Sequence, residues 1–167
     1  METPNVAPIA QPVKIKVPFL VLLISWVLLF GALVFILSGL MMSFSGIYLS
    51  ETKDILLGTS FFLRGIFLFL SYLGLRKLEK SGLFLYELGA FFVMMMALWK
   101  FFFLSDPSDL IGGFLGGYMG IYFFNMRDKF SEPAFNNKFI LGSILCVVSY
   151  ILLIVFFMNG GSARLLY

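Results

Sequence analysis

The sequence predicts an all-α fold, a polytopic transmembrane helical bundle, on three observations. Of 167 residues, 60% are hydrophobic and only 13% are charged, where a soluble domain is about a quarter charged. The apolar residues gather in long runs divided by short polar stretches, and most runs reach the roughly 20 residues that cross hydrocarbon. Aromatic residues make up 19%, with 22 Phe, a composition that suits lipid contact and helix packing. A globular surface could not hide so much apolar area. A bilayer can, and in lipid such runs must be helices because backbone groups have no water to turn to.

The same composition excludes other classes. A formal net charge of +3 is too small and dispersed for a nucleic-acid surface. There is no histidine and one cysteine, Cys146. That removes a disulfide within the chain, a thiolate zinc site and any imidazole mechanism. No cofactor and no metal site are expected.

Residues 1–17 are polar and carry Pro4, Pro8 and Pro12, which favour an extended, disordered tail. The transmembrane domain is expected over 18–158. Lys14 and Lys16 precede the apolar run Pro18–Phe44, an arrangement that mimics a signal peptide. The run is too long for one and lacks a small-residue cleavage site, so it reads as a retained signal anchor. As a helix over 18–44 it spans about 40 Å and must tilt in a hydrocarbon layer of about 30 Å.

A polar interruption, Ser45 to Asp54, follows, and Asp54 is placed to cap the next helix. The second helix covers 55–75 with Arg64 at its middle. The loop Arg76-Lys77-Leu78-Glu79-Lys80-Ser81-Gly82 carries three cations. The third helix covers 83–104 and holds Glu87 and Lys100. In Ser105-Asp106-Pro107-Ser108-Asp109, Ser105 or Asp106 caps, Pro107 fits a first turn and Asp109 sets negative charge against the helix dipole. So short a connection makes the third and fourth helices an antiparallel hairpin. The fourth helix covers 107–126, a polar stretch runs to Lys138, and the fifth covers 139–158. A short extracytoplasmic tail, 159–167, begins Asn159-Gly160-Gly161-Ser162.

The fourth helix contains Gly112, Gly113, Gly116, Gly117 and Gly120. In water each glycine costs a helix about 1 kcal/mol. In lipid the glycines at four-residue spacing form a bare face roughly 140° wide, on which other helices can come backbone to backbone. This helix is therefore expected to be the packing hub. Five spans are expected; the alternative is four spans with Leu110–Met126 as a re-entrant segment.

With five spans, Lys14, Lys16, Arg76, Lys77, Lys80, Arg127, Lys129 and Lys138 share one side, against Lys53, Lys100 and Arg164 on the other. Eight cations against three puts the N-terminus in the cytoplasm and the C-terminus outside, in a plasma membrane or a bacterial inner membrane. A re-entrant fourth segment would weaken that contrast to five against six.

Arg64 lies about 18 Å from Arg76 along its helix, near the bilayer centre, where a cation costs about 2.5–3.5 kcal/mol. Ser60 and Ser71 share its stripe, with Gly65 beside it. Glu87, about a turn into the adjoining helix, is the expected partner in an intramembrane pair. Such a pair fixes helix register or serves an anion or proton-coupled site; otherwise Arg64 faces a partner protein. Lys100 is expected to snorkel to headgroups or meet Asp106. Gly142, Ser143 and Cys146 read as small-residue packing, and Met94-Met95-Met96 as filler.

No nucleophile with a base, aspartate pair or metal set lies within the spans, so no catalytic residues and no enzyme are expected. The expected function is a non-catalytic accessory or scaffold subunit packing through the glycine-rich helix. The alternative is an oligomeric channel or transporter subunit with Arg64 facing an anionic group. Expected partners are the lipid bilayer and a second copy or another membrane protein, with no nucleic acid.

Overall fold

A computed structural model describes residues 17–104, 107, 109–131 and 136–158. They form five α-helices: α1 (Phe19–Leu49), α2 (Thr52–Arg76), α3 (Lys80–Leu104), α4 (Leu110–Asn125) and α5 (Asn137–Met158), with a 3-10 turn at Arg127–Lys129. Four are long and apolar enough to cross a membrane: α1, α2, α5 and the Lys80–Phe102 part of α3. With 16 residues, α4 spans about 24 Å. The expected tails with Lys14, Lys16 and Arg164, and the expected caps Ser105 and Asp106, lie outside the described residues.

The polar interruption expected at 45–54 is largely helix. α1 continues to Leu49 and α2 begins at Thr52, because Ser45 and Gly46 cost little here. Ser45 donates its hydroxyl to Met42 O at 2.9 Å, and Gly46 is buried against Ile55 and Asp54. Ser50 turns the chain at φ 56°, and Asp54 sits inside the first turn of α2 rather than at its cap. α4 likewise starts at Leu110 rather than 107, with Asp109 in the N-cap position but making no capping bond.

Two residues between α1 and α2 make them antiparallel neighbours along their length, and their seam is the most extensive in the described molecule. α1 buries Ser25, Ala32, Gly39 and Gly46, spaced by seven, the repeat of a helix seam. Facing them, α2 brings Gly58 and Gly65. A β-carbon on Gly65 would lie 2.8 Å from Ile36 N and 2.9 Å from Ala32 O. α5 lies on the other side of α2: Ser60 donates to Ser149 O at 2.8 Å, and Leu57, Leu153 and Phe156 share a buried cluster. α3 joins α2 at Gly74 and Gly82, whose backbones meet. α4 packs along α3, Gly113 near Ala97 and Tyr86 edge-on to Phe123 at 5.0 Å.

The bundle has two ends. At one, Ser131 N donates to Leu78 O at 2.7 Å and Lys80 N to Ser131 O at 3.0 Å. Lys138 pairs with Glu79 at 3.0 Å, and Asn136 caps α5 through Phe139 N at 2.9 Å. The C-terminal end of α4 therefore meets the α2–α3 turn. At the other end Lys100 of α3 pairs with Asp109 at 2.5 Å. α4 thus runs antiparallel to α3 from one end to the other. Along the outside of α1, Val27, Phe30, Val34, Leu37, Met41 and Phe44 are exposed, a surface suited to lipid.

Candidate functional site

Arg64 stands twelve residues from each end of α2, so about 18 Å from either. The rotation of α2 is fixed on two sides, by Gly65 against α1 and by Ser60 bonded to α5. This directs Arg64 into the space between α1 and α5. Its guanidinium carbon lies 4.4 Å from the Tyr150 ring centroid and 5.7 Å from that of Phe35. Nε and Nη2 are buried and have no hydrogen-bond partner among the described residues. A desolvated cation–π contact is worth about 2 kcal/mol. It supplies no acceptor, so the guanidinium keeps unmet donors in an apolar setting.

Two cavities of about 480 and about 400 Å³ adjoin this group and share Phe35, Arg64, Val93, Gly112 and Tyr150 as walls. Each lies in the range of sites that hold small molecules, roughly 300–1,000 Å³. The larger reaches the Lys100–Asp109 pair. The smaller is bounded by Val27 and Leu28 on α1 and by Gly116 on α4. Chemically, the arrangement offers an anion one planar guanidinium that is unpaired among the described residues, with apolar volume beside it.

The expected Arg64–Glu87 pair is not formed. Glu87 Oε1 is also buried without a hydrogen-bond partner among the described residues. At the level of Glu87, α3 meets α2 at Gly89, against Phe67. Glu87, two positions earlier, points roughly 200° away, on the side where Ala90 and Met94 meet α4. The short turn made α2 and α3 neighbours without turning Glu87 inward.

The hub expectation is likewise corrected. Among the five glycines, Gly113, Gly116 and Gly117 meet only Ala97, Ala90 and Met94 of α3, at 3.3 Å or more from a built β-carbon. Gly112 and Gly120 meet nothing within 4 Å among the described residues. The bare face that was to admit a helix instead opens, at Gly112 and Gly116, onto the Arg64 cavities. Lys100 pairs with Asp109; Asp106 lies outside the described residues.

Sequence reasoning missed Tyr150 and Phe35 as the partners of Arg64. A signal for Tyr150 existed: Gly142, Cys146, Ser149 and Tyr150 are all buried and form a small and polar stripe at helical spacing, the only such face of α5. Phe35 had none among so many phenylalanines.

The architecture is that of an all-α protein with four membrane-competent helices. A scan against protein-family models, a search of curated proteins and a search of solved structures found no match to the chain.

Proposed function

We propose that the chain is a non-catalytic, multi-pass membrane protein that crosses the bilayer five times and holds an anionic group at Arg64. The observation that carries this reading is a guanidinium with two buried nitrogens, unpartnered among the described residues, beside open volume. A cation that only locked helices together would have met its carboxylate.

The five crossings draw support from the two ends of α4. Its start is tied to α3 by Lys100–Asp109 and the segment after it to the α2–α3 turn by Ser131. A re-entrant segment would return to the end it left. About 24 Å of helix, extended by the 3-10 turn, matches a locally thinned bilayer. The end with Arg76, Lys77, Lys80, Arg127, Lys129 and Lys138 faces the cytoplasm by the positive-inside rule, against Lys53 and Lys100 opposite.

The protein acts as a binding subunit, alone, as an oligomer or with another membrane protein. To test it, wild type, Arg64→Lys and Arg64→Leu are extracted in native-lipid discs, and copurifying molecules are identified by mass spectrometry. An anionic species is expected with wild type, weaker with Arg64→Lys, and absent with Arg64→Leu. The same complement in all three overturns the reading. A channel or transporter subunit is the second reading, favoured by the reach of the larger cavity to the Lys100–Asp109 pair. Solute flux in liposomes abolished by Arg64→Leu would select it.

A further inference from the structure

The routes to Arg64 identify the kind of anion it takes; this rests on the anion-site reading above. Lys100 and Asp109 neutralise each other at one margin of the larger cavity. Ser71 has already donated its hydroxyl to Phe67 O at 3.0 Å. What remains is a single unpaired charge facing walls of aliphatic and aromatic side chains. A small hydrated anion would lose its water there for one guanidinium, a poor exchange. A molecule with one anionic head and an apolar body loses less and buries more, at about 0.8 kcal/mol per methylene.

The larger cavity ends at a mutually paired Lys100 and Asp109, and other parts of the shared walls are exposed on the outside of the bundle. The Lys100–Asp109 pair lies across the margin nearest the α3–α4 turn. At the opposite end Val21 of α1 and Phe123 of α4 belong to one buried cluster with Leu75 and Leu83. Between these two ends part of the wall is exposed. Val27 on α1 is 63% exposed and Val93 on α3 is 42% exposed, although both line the smaller cavity. Gly112 on α4 is exposed, and a β-carbon there would meet no described atom within 4 Å. The exposed parts of the walls therefore face sideways from the bundle, at Val27 of α1, Val93 of α3 and Gly112 of α4.

We propose that this side of the bundle admits, from the bilayer, a single-chain amphiphile with an oxyanion head. The head settles against the Arg64 guanidinium, which matches a carboxylate or phosphate as a planar fork. The chain lies along the Gly112 and Gly116 wall, where the missing side chains leave it room.

The test uses the full chain in nanodiscs of neutral phosphatidylcholine and the displacement of a fluorescent fatty acid. Three competitors separate head from chain: oleate, oleyl alcohol and acetate. Gly112→Leu fills the chain path at a position where a β-carbon meets no described atom within 4 Å, and its melting temperature in detergent is measured alongside to show that it folds; Arg64→Leu removes the head contact. Oleate is expected to bind wild type, and about tenfold or more weaker in either variant, with oleyl alcohol weaker than oleate by a similar factor and acetate inert. Oleyl alcohol binding as well as oleate, or oleate indifferent to Gly112→Leu, overturns the amphiphile. Arg64-dependent acetate binding without oleate binding overturns it too, but leaves the anion site standing. If no anion depends on Arg64, both fall. A disc mass showing a dimer that Arg64→Leu dissolves, with oleate unbound, assigns the groove to an acidic side chain of a second copy and overturns the proposal.

Discussion

Gly39 and Gly58 face one another across the α1–α2 seam so closely that a β-carbon on either would sit within 2.8 Å of the other's carbonyl oxygen. Both obstacles are backbone, which cannot swing aside as a side-chain tip can. Gly39→Ala and Gly58→Ala are expected to lower stability by about 1–3 kcal/mol, the range for overpacked interiors. The measurement is the melting temperature in detergent. A variant melting at or above the wild-type temperature contradicts the seam.

The glycines of α4 should behave in the opposite way. Gly120→Ala adds a methyl where no described atom lies within 4 Å and improves helix propensity by up to about 1 kcal/mol. Gly113→Ala, whose β-carbon would come 3.3 Å from that of Ala97, should fall between Gly120→Ala and Gly39→Ala. If Gly120→Ala destabilises as much as Gly39→Ala, α4 is the hub after all.

That contrast shows what could be read in the residues beforehand. Apolar runs and polar breaks announced the helices, and a lone mid-span cation announced Arg64. Glycine density announced α4, but density is not contact. The seven-residue spacing of Ser25, Ala32, Gly39 and Gly46 was present, in a helix so uniformly apolar that no polar face marked which side was buried. Helix rotation was the other hidden quantity. A turn fixes that α2 and α3 are neighbours, and packing at Gly89 decides that Glu87 looks elsewhere. The end of α1 was misplaced because Ser45 and Gly46 look like a break, yet lipid and a close neighbour remove the cost of both.

The backbone bonds of Ser131 with Leu78 and Lys80 carry a topological prediction. In a Cys146→Ala background, Lys77→Cys and Lys129→Cys should react with an impermeant thiol reagent from the same face of sealed vesicles. Lys53→Cys, at the other end of α2, should react from the opposite face. Lys129→Cys labelled together with Lys53→Cys means that α4 does not cross.

The Lys100–Asp109 pair joins residues that are 25% and 46% exposed, so solvent and headgroups screen it. A double-mutant cycle with Lys100→Ala and Asp109→Ala should give a coupling near the top of the ~0.2–1 kcal/mol range for such pairs. The charge-swapped double variant Lys100→Asp with Asp109→Lys should recover most of it. A coupling indistinguishable from zero removes the pair as a fixed end of the cavity.

Arg64 offers the sharpest division between a structural and a functional charge. A buried cation that holds a bundle together costs about 3–5 kcal/mol when its partner is lost. Among the described residues Arg64 meets no carboxylate: its neighbours are the Tyr150 and Phe35 rings, and its Nε and Nη2 are unpartnered. Arg64→Leu removes an under-satisfied charge from an apolar setting and leaves no orphaned counter-ion. The purified variant is therefore expected to gain about 1–3 kcal/mol in stability, from the desolvation cost it escapes less the ring contacts it gives up. Glu87→Gln should add to this change without coupling, since the two side chains do not meet. A charge retained against stability is kept for what it binds. If Arg64→Leu melts several degrees lower, or if the two substitutions couple strongly, Arg64 is a structural element and the cavity beside it is incidental.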